Sequence, residues 1–154
     1  MPKEVIILFG PPGAGKGTQA EILSDKLGYY HFESSKVIEA TFKNESPDKV
    51  FTIEGNDYKV GDEIKKWESG NLNSPPFVVF LMTEKIKDLA EDGKSIIFSG
   101  SPRTVYEAER EIPLLKELYG KENIKFILLE ITAETTIFRN SNRRICELIR
   151  HSIL

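Results

Sequence analysis

A chain of 154 residues has room for one domain of ordinary size and can bury a core of its own. It is 40% hydrophobic and 29% charged, with a formal charge of -3 that favours neither nucleic acid nor an anionic membrane as a partner, and no apolar run is long enough to span a bilayer. The single cysteine, Cys146, excludes an internal disulfide, and Met1-Pro2-Lys3-Glu4 runs on without the apolar stretch of a signal peptide, so a cytoplasmic monomer is expected.

In chain order, residues 4–9 carry the unbroken apolar run Val5-Ile6-Ile7-Leu8-Phe9, as in a parallel strand buried on both faces. A glycine-rich turn follows. Ala20, Ile22, Leu23 and Leu27 then fall at helical spacing over 19–27, and Gly28 stands at the C-terminal glycine position. Residues 29–32 form a short second strand, and Ser34 or Ser35 can cap a helix running to about residue 42. Residues 43–75 are polar and rich in turn formers. Within them, 49–60 predicts a hairpin turning at Glu54-Gly55-Asn56-Asp57, and 62–69 a short helix ended by Gly70. Pro75-Pro76 opens a long helix to about residue 92, closed by Gly93. Residues 95–98 and 124–130 are further strands, with a helix over 104–119 on both sides of Pro113 between them. Residues 133–150 predict one last helix with Thr132 as its N-cap. Strands alternating with helices imply right-handed crossovers and a parallel sheet covered on both faces.

The segment richest in chemistry is Gly10-Pro11-Pro12-Gly13-Ala14-Gly15-Lys16-Gly17-Thr18, between a buried strand and a helix. Glycines let successive amide N–H groups point inward, and the helix N-terminus turns its positive dipole end toward the same anion. Lys16 adds the full charge that reaches the outer phosphates, and Thr18 offers a hydroxyl near them. The strict phosphate-loop pattern has Ser or Thr directly after the lysine, whereas here that place is Gly17.

This variant resembles the one in adenylate kinases and related nucleoside monophosphate kinases. The resemblance continues at Ser99-Gly100-Ser101-Pro102-Arg103-Thr104, which matches the register of the family's Asp-Gly-Phe-Pro-Arg with Ser99 for Asp and Ser101 for Phe. It continues again at Arg139-Asn140-Ser141-Asn142-Arg143-Arg144, where Arg139 and Arg143 share a helix face. The fold it implies is α/β, a three-layer P-loop architecture with a parallel sheet of about four strands. A small acceptor-binding insertion would span residues 33–75, and a lid would begin over 140–154. ATP would be held by Gly13, Ala14, Gly15, Lys16, Gly17, Thr18, Arg139 and Arg143, with Mg2+ carried on the nucleotide near Thr18 and no direct protein ligand. Arg103 would hold the acceptor's phosphate, a task suited to a guanidinium fork that binds oxygens in pairs and never loses its charge. Ser34, Glu39, Asn71, Leu72, Asn73, Gly100, Ser101 and Glu107 would complete the acceptor site. Lys16, Arg103, Arg139 and Arg143 would be the catalytic cations, with ATP and a nucleoside monophosphate, AMP favoured, as partners.

Several positions depart from the family's pattern. The arginine that binds the acceptor phosphate aligns with Glu39, with Lys36 and Lys43 on the same face as possible replacements. The adenine-reading glutamine aligns with Glu107, which can only accept hydrogen bonds, so in isolation it suits guanine better. The family's chain continues through a lid to a fifth strand and a last helix, whereas this one stops at Leu154, so a catalyst with an incomplete lid and an open sheet edge is expected. Glu130 is an ordinary strand-end charge or a carboxylate beside the nucleotide, Cys146 is filler, and His31 and His151 have no partners at metal or catalytic spacing. Two other functions stay open: a P-loop kinase for a different small molecule, and a nucleotide binder without catalysis.

Overall fold

The computed structural model describes residues 3–142, and of the last residues only the backbone at 144–145 and 152–153. Strand β1 (Val5–Phe9) runs into helix α1 (Lys16–Leu27), followed by β2 (Tyr30–Phe32) and α2 (Ser34–Asn44). The hairpin of β3 (Val50–Ile53) and β4 (Asn56–Lys59) leads to α3 (Val60–Glu68) and the long α4 (Pro75–Glu91). Then come β5 (Ile96–Phe98), α5 (Val105–Tyr119), a short 3-10 turn (Lys121–Asn123), β6 (Ile124–Leu128) and α6 (Ala133–Ser141). The short strands β7 (Arg144–Ile145) and β8 (Ser152–Ile153) pair antiparallel. The expected helix over 133–150 is therefore corrected: Thr132 caps it by accepting from the Thr135 amide, but Asn142 ends it.

The main sheet is parallel in the order β2-β5-β1-β6, in register Ile7 to Phe98 and Phe9 to Leu128 across β1. This is the expected four-stranded α/β sheet. Alternation sorts β1 between the two faces. Ile6, Leu8 and Ile97 meet Ala20 and Leu23 of α1, while Val5, Ile7, Ile96 and Phe98 join Phe32 and the apolar residues of α4 and α5. Phe32 and Phe98, both fully buried with ring centroids 4.5 Å apart, each stabilise the fold by about 1.5–3 kcal/mol through burial. On its outer side β6 leaves Phe126 and Leu128 exposed, so this edge is apolar.

The insertion shares the core. Phe42 stacks on Phe77, Phe51 packs on Phe77 and Phe80, and Trp67 meets Phe42 edge-on. The hairpin forms as expected but turns on two residues, Glu54 and Gly55, both at positive φ as a tight right-twisted hairpin requires. Glu54 is an uncommon residue there, and its carboxylate pairs with Arg110 of α5 at 3.1 Å. The N-cap of α2 is Glu33, in an extended conformation whose carbonyl accepts from Lys36 and Val37, and Ser34 is already the first helical residue. Pro113 lies inside α5 without breaking it.

Candidate active site

Strands β1 and β5 are neighbours, yet their connections leave in opposite directions. α1 carries the chain from β1 past β5 to β2, and α5 carries it from β5 past β1 to β6. That reversal opens a crevice at the carboxyl ends of the two strands, where ligands of open α/β sheets bind. Two loops border it: 10–15 after β1 and 99–104 after β5.

Gly10 must be glycine here, because a Cβ would stand 2.5 Å from the Leu129 carbonyl oxygen and φ is +150°. Ala14 N–H closes a turn onto Pro11 O at 3.1 Å, and Gly15, left-handed at φ 89°, starts α1. The amides of the first helical turn have no acceptor within the helix and are open to an anion. The Lys16 side chain folds back across the loop and donates to the Gly10 carbonyl at 2.7 Å and to the Pro11 carbonyl at 3.1 Å. Burial holds its ammonium below the usual lysine range, and the Arg103 guanidinium adds to that. An ammonium destabilised in this way gains from any anion placed beside it.

Arg139 reaches the same loop from α6 and donates to Gly13 O at 3.1 Å, with Asn140 packed so close that a Cβ on Gly13 would lie 3.3 Å from its Oδ1. Lys16, Arg103 and Arg139 therefore converge on one crevice from three segments far apart in sequence. Arg143 lies outside the described residues.

On the acceptor side, Ser101 and Pro102 are joined by a cis peptide, and the Arg103 Nε donates to the Gly100 carbonyl. Arg103 itself is exposed. Glu107 accepts from the Arg103 amide at 2.6 Å while its own amide donates to the N-cap Thr104 Oγ1 at 3.2 Å, so its carboxylate ties down the residue before the cap at the start of α5. Ser101 is buried, and its hydroxyl lies within 2.8 Å of both carboxylate oxygens of Glu111. Asn73 is also buried and points inward to Glu63, whereas Leu72 is 94% exposed and Asn71 bonds Ser69 Oγ at 2.9 Å. Glu39 is half-buried on α2, and Lys36, one of the two expected replacements for a phosphate-binding arginine, is paired with Glu33.

The AAA domain family matches residues 9–145. The chain belongs to that family. It is 32% identical over 143 residues to an adenylate kinase of Borrelia recurrentis, covering 92% of this chain and 58% of the relative. It is likewise 32% identical over 143 residues to one of Clostridium botulinum, covering 92% and 59%. With one of Caldicellulosiruptor bescii it shares 34% over 145 residues, covering 92% and 60%. The resemblance carried by residues 10–18 is thus borne out, and the chain spans about three-fifths of the length of these relatives.

Three groups in the AAA domain escaped the reading of motifs. Glu111 shares the buried side of α5 with Leu115 and Tyr119, and Glu63 lies between Val60 and Trp67 on α3. A carboxylate at helical spacing within an apolar stripe was the available signal for both. His31 Nε2 lies 2.7 Å from Ser99 Oγ, a pair that only the β2–β5 register brings together. Among the described residues no helix is long and apolar enough to cross a membrane.

Proposed function

We propose that this chain binds ATP and a nucleoside monophosphate and moves the γ-phosphoryl group between them, with ATP + AMP giving two ADP as the reaction. The observation that carries this reading is the convergence of Lys16, Arg103 and Arg139 on the crevice between β1 and β5. In the transfer, an oxygen of the acceptor phosphate attacks the γ phosphorus, and the bond to the β–γ bridging oxygen breaks as ADP leaves. No covalent chemistry is asked of the protein, only alignment and cancellation of charge. Lys16 and the first-turn amides of α1 hold the β and γ oxygens, Arg139 braces the loop and its nucleotide, and Arg103 holds the acceptor phosphate. Magnesium carried on the nucleotide would neutralise phosphate charge near the exposed Thr18 hydroxyl in the first turn of α1, without a direct protein ligand.

In isolation the carboxylate of Glu107 suits a second acceptor, GMP, because guanine presents neighbouring donors where adenine presents one, but one of its oxygens already accepts from the Arg103 amide. A coupled assay of ADP release with a panel of monophosphates tests both readings. ADP formation should depend on the acceptor, with AMP above GMP. Lys16→Ala should lower the rate by roughly 10²–10³, the usual cost of one charge-stabilising contact, without unfolding the protein. ATP binding and turnover unchanged in that variant would defeat the assignment.

A further inference from the structure

We propose that Glu63 is a positioning residue for the acceptor site, its buried carboxylate pinning the 70–74 turn so that Asn71 and Leu72 are presented to the nucleoside monophosphate. The proposal rests on the acceptor reading given above. Glu63 is 2% exposed. Its Oε1 accepts from Lys66 Nζ at 2.8 Å and from Ser74 Oγ at 2.7 Å, while Oε2 accepts from Ser74 N at 2.9 Å and Asn73 Nδ2 at 3.0 Å. The same Asn73 amide also donates to the Glu63 backbone carbonyl at 2.8 Å, and Lys66 Nζ reaches Ser74 Oγ at 2.7 Å.

Burying a carboxylate is costly, and an apolar residue of similar size at this place on α3 would serve packing alone at least as well. What the charged residue adds is direction. Three of the four donors to its carboxylate belong to Asn73 and Ser74, so the carboxylate fixes the far end of the turn. The near end is tied by Gly70 N–H to Trp67 O at 3.1 Å and Asn71 N–H to Lys66 O at 2.9 Å. Between these anchors only Asn71 and Leu72 face outward, both exposed. The Asn73 side chain is thereby withdrawn from direct acceptor contact, and the recognition surface of the turn consists of Asn71, Leu72 and their backbone groups. Burial tends to raise the carboxyl's titration, but the bonds from Lys66, Ser74 and Asn73 outweigh it and hold Glu63 below the ordinary glutamate range, so it stays ionised at neutral pH.

AMP and a non-hydrolysable ATP analogue would each be titrated by calorimetry, and amide hydrogen exchange followed over 70–74. The variants are Glu63→Gln, which keeps shape and removes charge, and Asn73→Ala, which leaves Glu63 paired with Lys66 and Ser74. Glu63→Gln should weaken AMP at least tenfold and speed exchange over 70–74 at least tenfold, with the ATP analogue held within twofold. Asn73→Ala should do the same to a smaller degree, and it decides the matter alone if Glu63→Gln fails to fold. AMP affinity within twofold of the parent chain, or equal loss of AMP and the ATP analogue, would overturn the proposal. If the unmutated chain binds the ATP analogue and no monophosphate, the acceptor reading falls and takes this proposal with it. Failure confined to the variants counts against Glu63 alone.

Discussion

Replacing Glu111 by glutamine should flatten the dependence of this protein's stability on pH. Glu111 is fully buried on α5, and burial pushes its carboxyl up to about 7, with the Ser101 hydroxyl opposing the rise and the Glu107 carboxylate adding to it. An unfolded glutamate titrates near 4.5. The native state therefore holds this proton more tightly than the unfolded chain, and stability falls as pH rises through the window from 4.5 to 7. The full difference corresponds to about 3 kcal/mol, of which about 2 kcal/mol falls between pH 5.5 and 8.5. Glutamine resembles the neutral acid in shape and never ionises, so the variant should match the parent within about 1 kcal/mol at pH 5.5, the cost of one imperfectly paired amide. At pH 8.5 it should be more stable by about 1–2 kcal/mol, or several degrees in Tm. Urea unfolding at a series of pH values is the assay, since guanidinium would screen the charges concerned. Parallel pH profiles for parent and variant from 5.5 to 8.5 would refute the reasoning.

Two further outcomes are expected. Glu39→Arg should tighten AMP by up to roughly tenfold, the worth of one charge-assisted hydrogen bond, and calorimetry showing equal or weaker binding would mean that Glu39 does not face the acceptor phosphate. Leu128→Lys, on the outer edge of β6 where Leu128 is 61% exposed, should lower concentration-dependent association in sedimentation experiments with little change in Tm; identical sedimentation would show that this edge is not sticky.

Much of the crevice was legible as local pattern. A glycine-rich turn between a buried strand and a helix has one physical use for its amides and its lysine, so residues 10–18 announce an anion site without any tertiary information. The hairpin at 50–59, the caps at Thr132 and Gly28, and the four strands follow from neighbours a few residues apart. Other features were misjudged for reasons that can be stated. The serines at 34 and 35 looked like caps, but the extended backbone at Glu33 starts the helix one residue earlier. The periodic residues 133–142 continue into a stretch of similar composition, yet helix α6 stops at Ser141.

By itself, the sequence determined the order of elements, the parallel sheet and the phosphate loop, because each depends on side-chain periodicity or on backbone freedom at particular residues. Only the tertiary structure decided which charges meet. Lys16, Arg103 and Arg139 are separated by up to 123 residues in numbering, and the strand order β2-β5-β1-β6 is what brings their loops to one crevice. The same holds for burial. Packing removes Glu63, Asn73, Ser101 and Glu111 from water and pairs Glu63 with Asn73 and Ser101 with Glu111. Coulomb energy and desolvation depend on distance through space and on the surrounding dielectric, and neither quantity can be read along the chain.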